Sequence, residues 1–200
     1  ADAFLAQSQE VESRIRAFSQ APLMVYRTGV SVDQFPPLPK PTPSRRKALK
    51  LVYAGVLGMA HGLLDICRHT DFSQSCTELH IYGDGLEAPE ISAWRESNRQ
   101  QPIFLHQPVP APEVPSILAK HHAMIIPQKA RIRGTVPSKI YEAMAAGMPI
   151  LFIGGGEGAR LVEKYGCGYT IAPGDYRALE DALDRLCQMS EAERHSMGMA

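Results

Sequence analysis

One short stretch, PSKIYE, combines the residue types that bind phosphate and hydroxyl groups. Pro137 suits the first position of a helix, which leaves the N–H groups of Ser138, Lys139 and Ile140 free at the positive end of the helix dipole. Together with a hydroxyl and an ammonium group, these donors form a cradle for a phosphate. Glu142 lies on the same helix face, one turn further on, where a carboxylate can accept hydrogen bonds from two ribose hydroxyls. The stretch therefore predicts a nucleotide site.

Two other interpretations of such stretches remain open. Lys139 and Glu142 have the spacing of an ordinary ion pair on a solvent-facing helix. The segment GGGEGA (154–159) fits a dinucleotide-binding pattern, with Asp175 some twenty residues further on. Small residues match that pattern easily, and the segment lies near the end of the chain's strand–helix alternation. Nicotinamide or flavin binding is therefore the weaker alternative.

Several further polar residues are candidates for a site. His61 lies in a glycine turn, where an imidazole can contact a phosphate or a hydroxyl, or can serve no function. Arg131 and Arg133 precede Pro137 and either supply positive charge to a diphosphate or are simply solvated. His121 and its neighbour precede a buried strand and are interpreted as structural. Because no third ligand accompanies this pair, we expect no metal site.

The elements that must position these residues alternate between strand and helix from residue 48 onward. The predicted strands are apolar on both faces, which is typical of a parallel sheet covered by helices on both sides. In such α/β folds, ligands bind beyond the carboxyl ends of the strands, where glycine turns meet helix starts. Three turns could serve this purpose: 58–62, 83–85 and 154–158. The predicted strands are 49–55, 78–85, 102–106, 123–127, 149–153 and 168–173, and the predicted helices are 63–69, 87–100 after Pro89, 116–122, 137–146, 156–164 and 175–188.

The first part of the chain differs from the rest. Residues 3–18 have the apolar period of an amphipathic helix, and LMVYRTG (23–29) is predicted to be a short strand. A proline-rich stretch over 36–47 is interpreted as an interdomain linker. Residues 1–35 are then the end of a preceding domain, 48–188 one ligand-binding domain and 189–200 the start of another helix. The lack of an initiator methionine and the ending within a predicted helix favour an excised fragment.

Composition limits the classes of function. Lys+Arg and Asp+Glu are equal, at 21 each, which argues against a nucleic-acid-binding protein. The apolar runs are too short to span a bilayer, and the start of the sequence lacks the pattern of a signal peptide. The four cysteines have no metal-ligand spacing, so we interpret them as reduced thiols of a cytoplasmic protein.

The sequence VPSKIYEAMAAGMPILF resembles the motif of retaining glycosyltransferases of family 4, which have the two-domain GT-B fold. The resemblance extends over about residues 1–195, through VYRTGVSVDQFPP, LVYAGVLGMAHGLLDIC, LHIYGDG and GEGARLVEKYGCGYTIAPGDYRALEDALDRL, in that order. Within the family, the sequence is most similar to bacterial amino-sugar transferases of the fucosaminyltransferase type, which act in surface-polysaccharide or lipopolysaccharide assembly.

This resemblance implies the fold, the ligands and the location. The chain would be a Rossmann-like parallel sheet with helices on both faces, one half of a GT-B fold. It would bind a nucleotide-sugar donor, most often UDP-linked, without a cofactor or metal, and transfer the sugar with retention. The acceptor, a glycan or a lipid-linked glycan, would bind the N-terminal domain. The implied location is the cytoplasm, including peripheral attachment at the inner face of the membrane through the acceptor or the other domain.

The resemblance also implies roles for particular residues. Glu142 corresponds to the glutamate that holds the ribose, and Ser138 and Lys139 correspond to the diphosphate-binding helix start. The loop from Gly58 through Met59 and His61 to Gly62 corresponds to the loop beneath the phosphates. His106 and Gln107 correspond to the region that reads the base through its backbone. Catalysis would depend on Glu142 and Lys139.

Two departures from the family pattern are evident. Its first glutamate, eight residues before Glu142, is replaced by Gly134, and Glu157 is the candidate substitute at the donor sugar. The basic pair near the first glycine loop is replaced by Val56 and His61, for which Lys139, Arg131 and Arg133 could compensate. A nucleotide-sugar epimerase of the same fold and a non-catalytic nucleotide-binding module are the alternatives. An epimerase would need a further acid–base pair in the cleft.

Overall fold

The computed structural model describes residues 2–36 and 48–200. The strands of this part of the chain are β1 (Phe4–Ala6), β2 (Leu23–Val25), β3 (Leu49–Ala54), β4 (Thr77–Tyr82), β5 (Ile103–His106), β6 (Ala123–Pro127), β7 (Ile150–Ile153) and β8 (Gly168–Ile171). Its α-helices are α1 (Gln9–Arg16), α2 (Leu63–His69), α3 (Ala88–Ser97), α4 (Val114–Leu118), α5 (Ser138–Ala145), α6 (Glu157–Tyr165), α7 (Tyr176–Gln188) and α8 (Glu191–Gly198). Short 3-10 helices cover Val32–Gln34 and Ala111–Glu113.

Six strands form one parallel sheet, in the order β5-β4-β3-β6-β7-β8. The chain proceeds outward from β3 in one direction, and then returns to β6 on the other side of β3. The crevice at the carboxyl ends of β3 and β6 is therefore the topological switch point, where ligands of such sheets bind.

Both faces of this sheet are covered, as the apolar strands predict. Along β3, Leu51 and Tyr53 belong to the core beneath α2, α3 and α7, whereas Val52 belongs to the core beneath α4, α5 and α6. Residues of β6 alternate in the same way, with Ile125 on the first side and Met124 on the second. The prediction of a Rossmann-like α/β fold with helices on both faces is confirmed.

The helix predicted over 3–18 is partly wrong, because its first residues form a strand. Phe4–Ala6 pair in parallel with Leu23–Val25 as a separate two-stranded sheet. Ser8 then starts the helix, since its side chain accepts a hydrogen bond from the N–H of Val11. The apolar period of a helix extends across this boundary, so the period alone conceals the break.

Other boundaries differ less. The helix predicted over 116–122 ends at Leu118, and His121 N–H closes a turn onto the Leu118 carbonyl. Of the proline-rich linker, residues 37–47 lie outside the described residues. All four cysteines are free thiols. Within the described residues, none of the helices is both long and apolar enough to cross a membrane.

Candidate functional site

A cavity of about 270 Å³ lies at the switch point between β3 and β6. Its walls come from the end of β3, the glycine loop after it, the end of β6, and the start of α5. The lining residues are Tyr53, Ala60, His61, Ile126, Pro127, Gln128, Ile132, Thr135, Pro137, Ser138 and Lys139. Four predicted site residues therefore line one cavity: His61, Pro137, Ser138 and Lys139.

The start of α5 presents free donors to this cavity. Pro137 is the residue before the helix, with φ −58° and ψ 130°, and it provides no side-chain cap. The N–H groups of Ser138 and Lys139 form no hydrogen bond with any described residue. The third expected donor is not free, because the N–H of Ile140 donates to the Pro137 carbonyl at 3.1 Å. The side chain of Ile140 is buried in the core.

The ammonium group of Lys139 points across the cavity mouth toward β3. Its Nζ lies 5.8 Å from the centre of the Tyr53 ring, and a Cβ at Gly55 would come within 2.5 Å of it. Lys139 makes no ion pair with a carboxylate among the described residues, so the ordinary Lys139–Glu142 pair is not formed. A half-buried ammonium without a counter-charge is a suitable partner for an anion.

Glu142 lies one turn beyond the free donors and is half-buried. The hydroxyl of Ser138 donates to its Oε1 at 3.3 Å, and this contact is open to solvent. The carboxylate is not among the residues that line the cavity. It therefore lies beside the cavity, with oxygen lone pairs still available to a ligand that extends along the helix.

The first glycine loop contributes an imidazole to the cavity, whereas its helix start is closed. His61 Nδ1 is buried next to Gly58 without a hydrogen-bond partner among the described residues. Burial lowers the pKa of His61, and the nearby charge of Lys139 lowers it further. Met59 is exposed, and Gly62 has φ +68° at the start of α2.

A buried carboxylate already occupies the start of α2. Glu87 Oε2 accepts a hydrogen bond from the N–H of Leu63 at 3.1 Å. Burial raises the pKa of Glu87, while the N–H groups that it caps oppose this shift. Of the helix starts at the switch point, α5 therefore presents the open donors, and α2 is capped by the protein itself.

The glycine turn over 154–158 is filled by side chains. Cβ atoms at Gly154 and Gly158 would lie 2.5 and 2.9 Å from the tip of the Phe152 ring. Asp175 caps α7 by accepting from the N–H of Ala178, which explains its presence without a ribose. The geometry therefore does not favour the dinucleotide interpretation.

Arg131 is not available to compensate for the missing basic pair. Its guanidinium is paired with Glu10 of α1, and Glu10 also accepts a hydrogen bond from the N–H of Gly134 at 2.9 Å. This backbone hydrogen bond is the main cause of the lowered pKa of Glu10. Arg133, in contrast, is exposed and contacts none of the described residues through a hydrogen bond or ion pair. It remains a candidate for contact with a bound anion.

Glu157 lies in a buried ion pair rather than in the cavity. It is 3% exposed, its Oε1 pairs with Arg27, and its Oε2 accepts from the N–H of Gln9 at 2.8 Å. These contacts attach the N-terminal residues to α6. The structure therefore does not leave this carboxylate free for a donor sugar.

Replacing Arg27 with methionine should lower the free energy of unfolding by about 3 kcal/mol, because it leaves a buried carboxylate without its counter-charge. Urea unfolding followed by circular dichroism measures this loss. Arg14→Met, at an exposed position of α1, is the matched control and should change little. Equal stability of the two variants would contradict the role of the pair.

His106 lies at the carboxyl end of β5, apart from the cavity. Its ring stacks on Tyr82, with centroids 4.2 Å apart, and its Nε2 lies 3.0 Å from His80 Nδ1. Gln107 follows on the surface. Because neighbouring strands are about 4.8 Å apart, β5 lies roughly 14 Å from β6, a separation that an extended nucleotide can bridge. The expected base-reading role of these residues stays a prediction.

His121, beside this pair, should make the fold acid-sensitive. Burial lowers the pKa of His121 to about 4, whereas the ordinary pKa of histidine is about 6.5. Between these two pH values, the native state therefore binds fewer protons than the unfolded chain. The free energy of unfolding should therefore fall as the pH drops from about 6.5 to 4. His121→Asn, which keeps a donor for the Ile117 carbonyl, should remove this part of the pH dependence, as measured by urea unfolding across pH.

His69→Asn provides the matched control for that experiment. His69 makes the same kind of contact, to the Asp65 carbonyl at 2.8 Å, but its ring is exposed. Its replacement removes an equivalent histidine hydrogen bond at an exposed position, and so controls for the loss of a histidine contact as such. An identical pH profile for the His121 variant and the wild type would contradict the assignment.

Sequence reasoning missed several residues around the cavity. Gln128 lines it and is 7% exposed, and Lys129 pairs with Asp65 at 2.7 Å. Both directly follow β6. Because ligands bind at the carboxyl ends of strands at a switch point, this position in the sequence could have indicated that the two residues lie near the site. Glu87 and Glu10 could not have been found, because their partners lie 24 and 124 residues away in the chain.

A metal centre is not evident in the described part of the chain, where no three His, Cys, Asp or Glu side chains are grouped to hold an ion. The cavity instead combines backbone donors, a hydroxyl and an ammonium group. The fold and this site together define a Rossmann-like α/β domain with an open helix start at its switch point.

Comparison with known proteins places this domain in a family. Residues 48–189 match the family described as Glycosyl transferases group 1. Since this match spans more than half of the chain, the chain belongs to that family. No curated protein matches the chain.

Solved structures share the fold at low sequence identity. TarM of S. aureus, in complex with UDP, fondaparinux and α-GlcNAc-glycerol, has a TM-score of 0.76 and 16% identity over 99% of this chain and 40% of its own. HepE of Anabaena, in complex with UDP-glucose, has a TM-score of 0.74 and 16% identity over 100% and 57%. The lipopolysaccharide outer core galactosyltransferase WaaB has a TM-score of 0.72 and 21% identity over 100% and 56%. The chain thus spans about half the length of these proteins.

Proposed function

We propose that the chain is the donor-binding half of a glycosyltransferase that uses a nucleotide-sugar donor. The observation that carries this proposal is the open start of α5 at the switch-point cavity. There, two backbone N–H groups and an ammonium group lack partners among the described residues. Such a set of donors fits a diphosphate. Glu142, one turn further on, is placed to accept hydrogen bonds from the ribose.

The same groups would assist the reaction. When the bond between the sugar and the diphosphate breaks, negative charge grows on the phosphate oxygens. Fixed N–H groups and the Lys139 ammonium would stabilise that charge more than they stabilise the bound donor, which lowers the barrier. His61, whose pKa is lowered by burial, could add a hydrogen bond at the same place.

We favour a uridine nucleotide as the donor, with uracil as its base. The family resemblance implies UDP, and the structures of TarM and HepE contain UDP and UDP-glucose. An amino sugar, retention of configuration and a glycan or lipid-linked acceptor bound by another domain complete the proposal. We place the reaction in surface-polysaccharide or lipopolysaccharide assembly, on the cytoplasmic side of the membrane, with no metal or cofactor required.

Calorimetric titration with UDP, UDP-GlcNAc and GDP-mannose tests the donor site directly. We expect saturable binding of the uridine nucleotides, with weaker binding of GDP-mannose. Binding that is equally strong with NAD would instead support the dinucleotide alternative. A chain that binds none of these nucleotides would contradict the proposal.

Replacing Glu142 with alanine should weaken UDP binding by at least about tenfold, since two hydrogen bonds from the ribose to a charged group are lost. The affinity for inorganic pyrophosphate should not fall, because that ligand lacks a ribose and loses no hydrogen bond to Glu142. Glu96→Ala, at an exposed position of α3, is the control for the change in net charge. An unchanged UDP affinity in the Glu142 variant would show that the ribose role is wrong.

A further inference from the structure

Three polar side chains form a hydrogen-bonded row on one face of β4 and β5. Glu78 Oε2 lies 3.3 Å from His80 Nε2, and His80 Nδ1 lies 3.0 Å from His106 Nε2. We name Glu78, His80 and His106 the histidine relay. It ends at the last residue of β5, at the edge of the sheet where ligands of this fold bind.

The neighbouring rings hold the relay in place. Phe104 stacks on His80 at 4.8 Å, and Tyr82 stacks on His106 at 4.2 Å, with the planes 18° and 10° apart. His121 packs its edge against both His80 and Tyr82. Rings that are confined on several sides keep their orientation, so the direction of each hydrogen bond is set by which nitrogen carries the proton.

The positions of the protons follow from the carboxylate at one end. An ionised carboxylate only accepts hydrogen bonds, so Nε2 of His80 must carry a proton. In a neutral imidazole the other nitrogen then accepts, so His80 Nδ1 accepts from Nε2–H of His106. Nδ1 of a neutral His106 is consequently an acceptor. The carboxylate of Glu78 thus determines the tautomer of His80, and the tautomer of His80 determines that of His106.

Two observations support a neutral end of the relay with an unpaired nitrogen. Burial lowers the pKa of His106, and the neighbouring His80 and Arg95 lower it further, which favours the neutral ring. Nδ1 of His106 forms no hydrogen bond with the described residues, and the His106 side chain is half-buried rather than enclosed. The relay therefore presents a free acceptor at the sheet edge.

We propose that the relay fixes His106 as the Nε2–H tautomer and thereby makes its Nδ1 a specificity-determining acceptor for an N–H donor of the bound nucleobase, such as the imide N3–H of uracil. The ligand part rests on the proposed function, whereas the tautomer part does not. Glu78 and His80 act as positioning residues, and His106 is the residue that contacts the ligand.

Long-range ¹⁵N–¹H NMR of the imidazole rings tests the tautomer in the free protein at pH 8, where imidazoles are mostly neutral. We expect His106 as the Nε2–H form in the wild type. In Glu78→Gln, the amide can donate to His80 Nε2, so the row can reverse and the Nδ1–H form of His106 should appear. A wild-type His106 in the Nδ1–H form would overturn the proposal, whatever the protein binds.

Binding of UDP and of N3-methyl-UDP tests the ligand part. Methylation removes the N–H donor, so the wild type should bind N3-methyl-UDP about fivefold to tenfold more weakly than UDP. His106→Phe keeps the stacking on Tyr82 but lacks the acceptor, and it should bind both nucleotides equally. Discrimination that persists in His106→Phe would overturn the assignment.

The remaining outcomes separate the two proposals. If both nucleotides bind the wild type equally, the proposed function survives and His106 is not the acceptor that selects the base. If neither binds while the tautomer is as expected, the proposed function fails, and the ligand part fails with it.

Discussion

Lys139→Met is expected to weaken the binding of UDP by about 30-fold to 150-fold. The ammonium group lies over the Tyr53 ring and against Gly55, and it has no carboxylate partner among the described residues. A charge-assisted contact to a phosphate in a partly buried place contributes about 2–3 kcal/mol. Methionine fills a similar volume without the charge, so the fold should be retained. Isothermal titration calorimetry measures the loss.

The salt dependence of binding should change together with the affinity. Salt screens the attraction between the ammonium group and the phosphates. UDP binding by the Lys139 variant, which lacks this group, should therefore depend less on ionic strength. Lys164→Met is the matched control, because Lys164 also lies over an aromatic ring, that of Tyr165, at 5.0 Å, but outside the cavity. If both variants lose less than about threefold in affinity, the ammonium group is not a ligand of the diphosphate.

Gly83→Ala is expected to give the largest loss of stability, more than about 4 kcal/mol or a failure to fold. Gly83 has φ +158°, and a Cβ there would overlap the carbonyl oxygen of Gly55. Backbone meets backbone at this contact, so neither side can move aside as a flexible side chain would. The N–H of Gly55 donates to the Tyr82 carbonyl at 2.8 Å, so any shift would also break the ladder between β3 and β4.

Gly29→Ala is the control for this substitution, since a Cβ at Gly29 would meet no atom within 4 Å. Urea unfolding, or the soluble yield when unfolding cannot be measured, distinguishes the two variants. Loss of UDP binding should accompany the loss of stability, because Gly55 lies next to Lys139. A folded Gly83→Ala variant with wild-type stability would contradict the close approach of the two loops.

Local sequence signals were sufficient for much of the fold. The apolar runs of β3, β6 and β7 predicted strands that are buried on both faces, and α2 was predicted with its observed bounds of 63–69. The apolar period of residues 3–18 was misleading, because residues 4–6 pair with a strand some 20 residues away in the chain. The helix therefore starts only at Ser8.

The candidate site was predictable where it depends on a single helix. The spacing of Ser138, Lys139 and Glu142 places all three side chains at one helix start, and the structure shows this arrangement. The state of their neighbours was not predictable. Glu157 and Arg131 looked like free charges in the sequence, but α1 supplies partners for both: the N–H of Gln9 for Glu157 and the carboxylate of Glu10 for Arg131. Contacts between segments so distant in the chain leave no local pattern.

A crystal structure of this chain in complex with UDP would test the central claim most directly. The account predicts the diphosphate at the start of α5, within hydrogen-bond distance of the N–H groups of Ser138 and Lys139, and the ribose hydroxyls on Glu142. A nucleotide bound elsewhere, with the start of α5 and the ammonium of Lys139 not in contact with its phosphates, would contradict it.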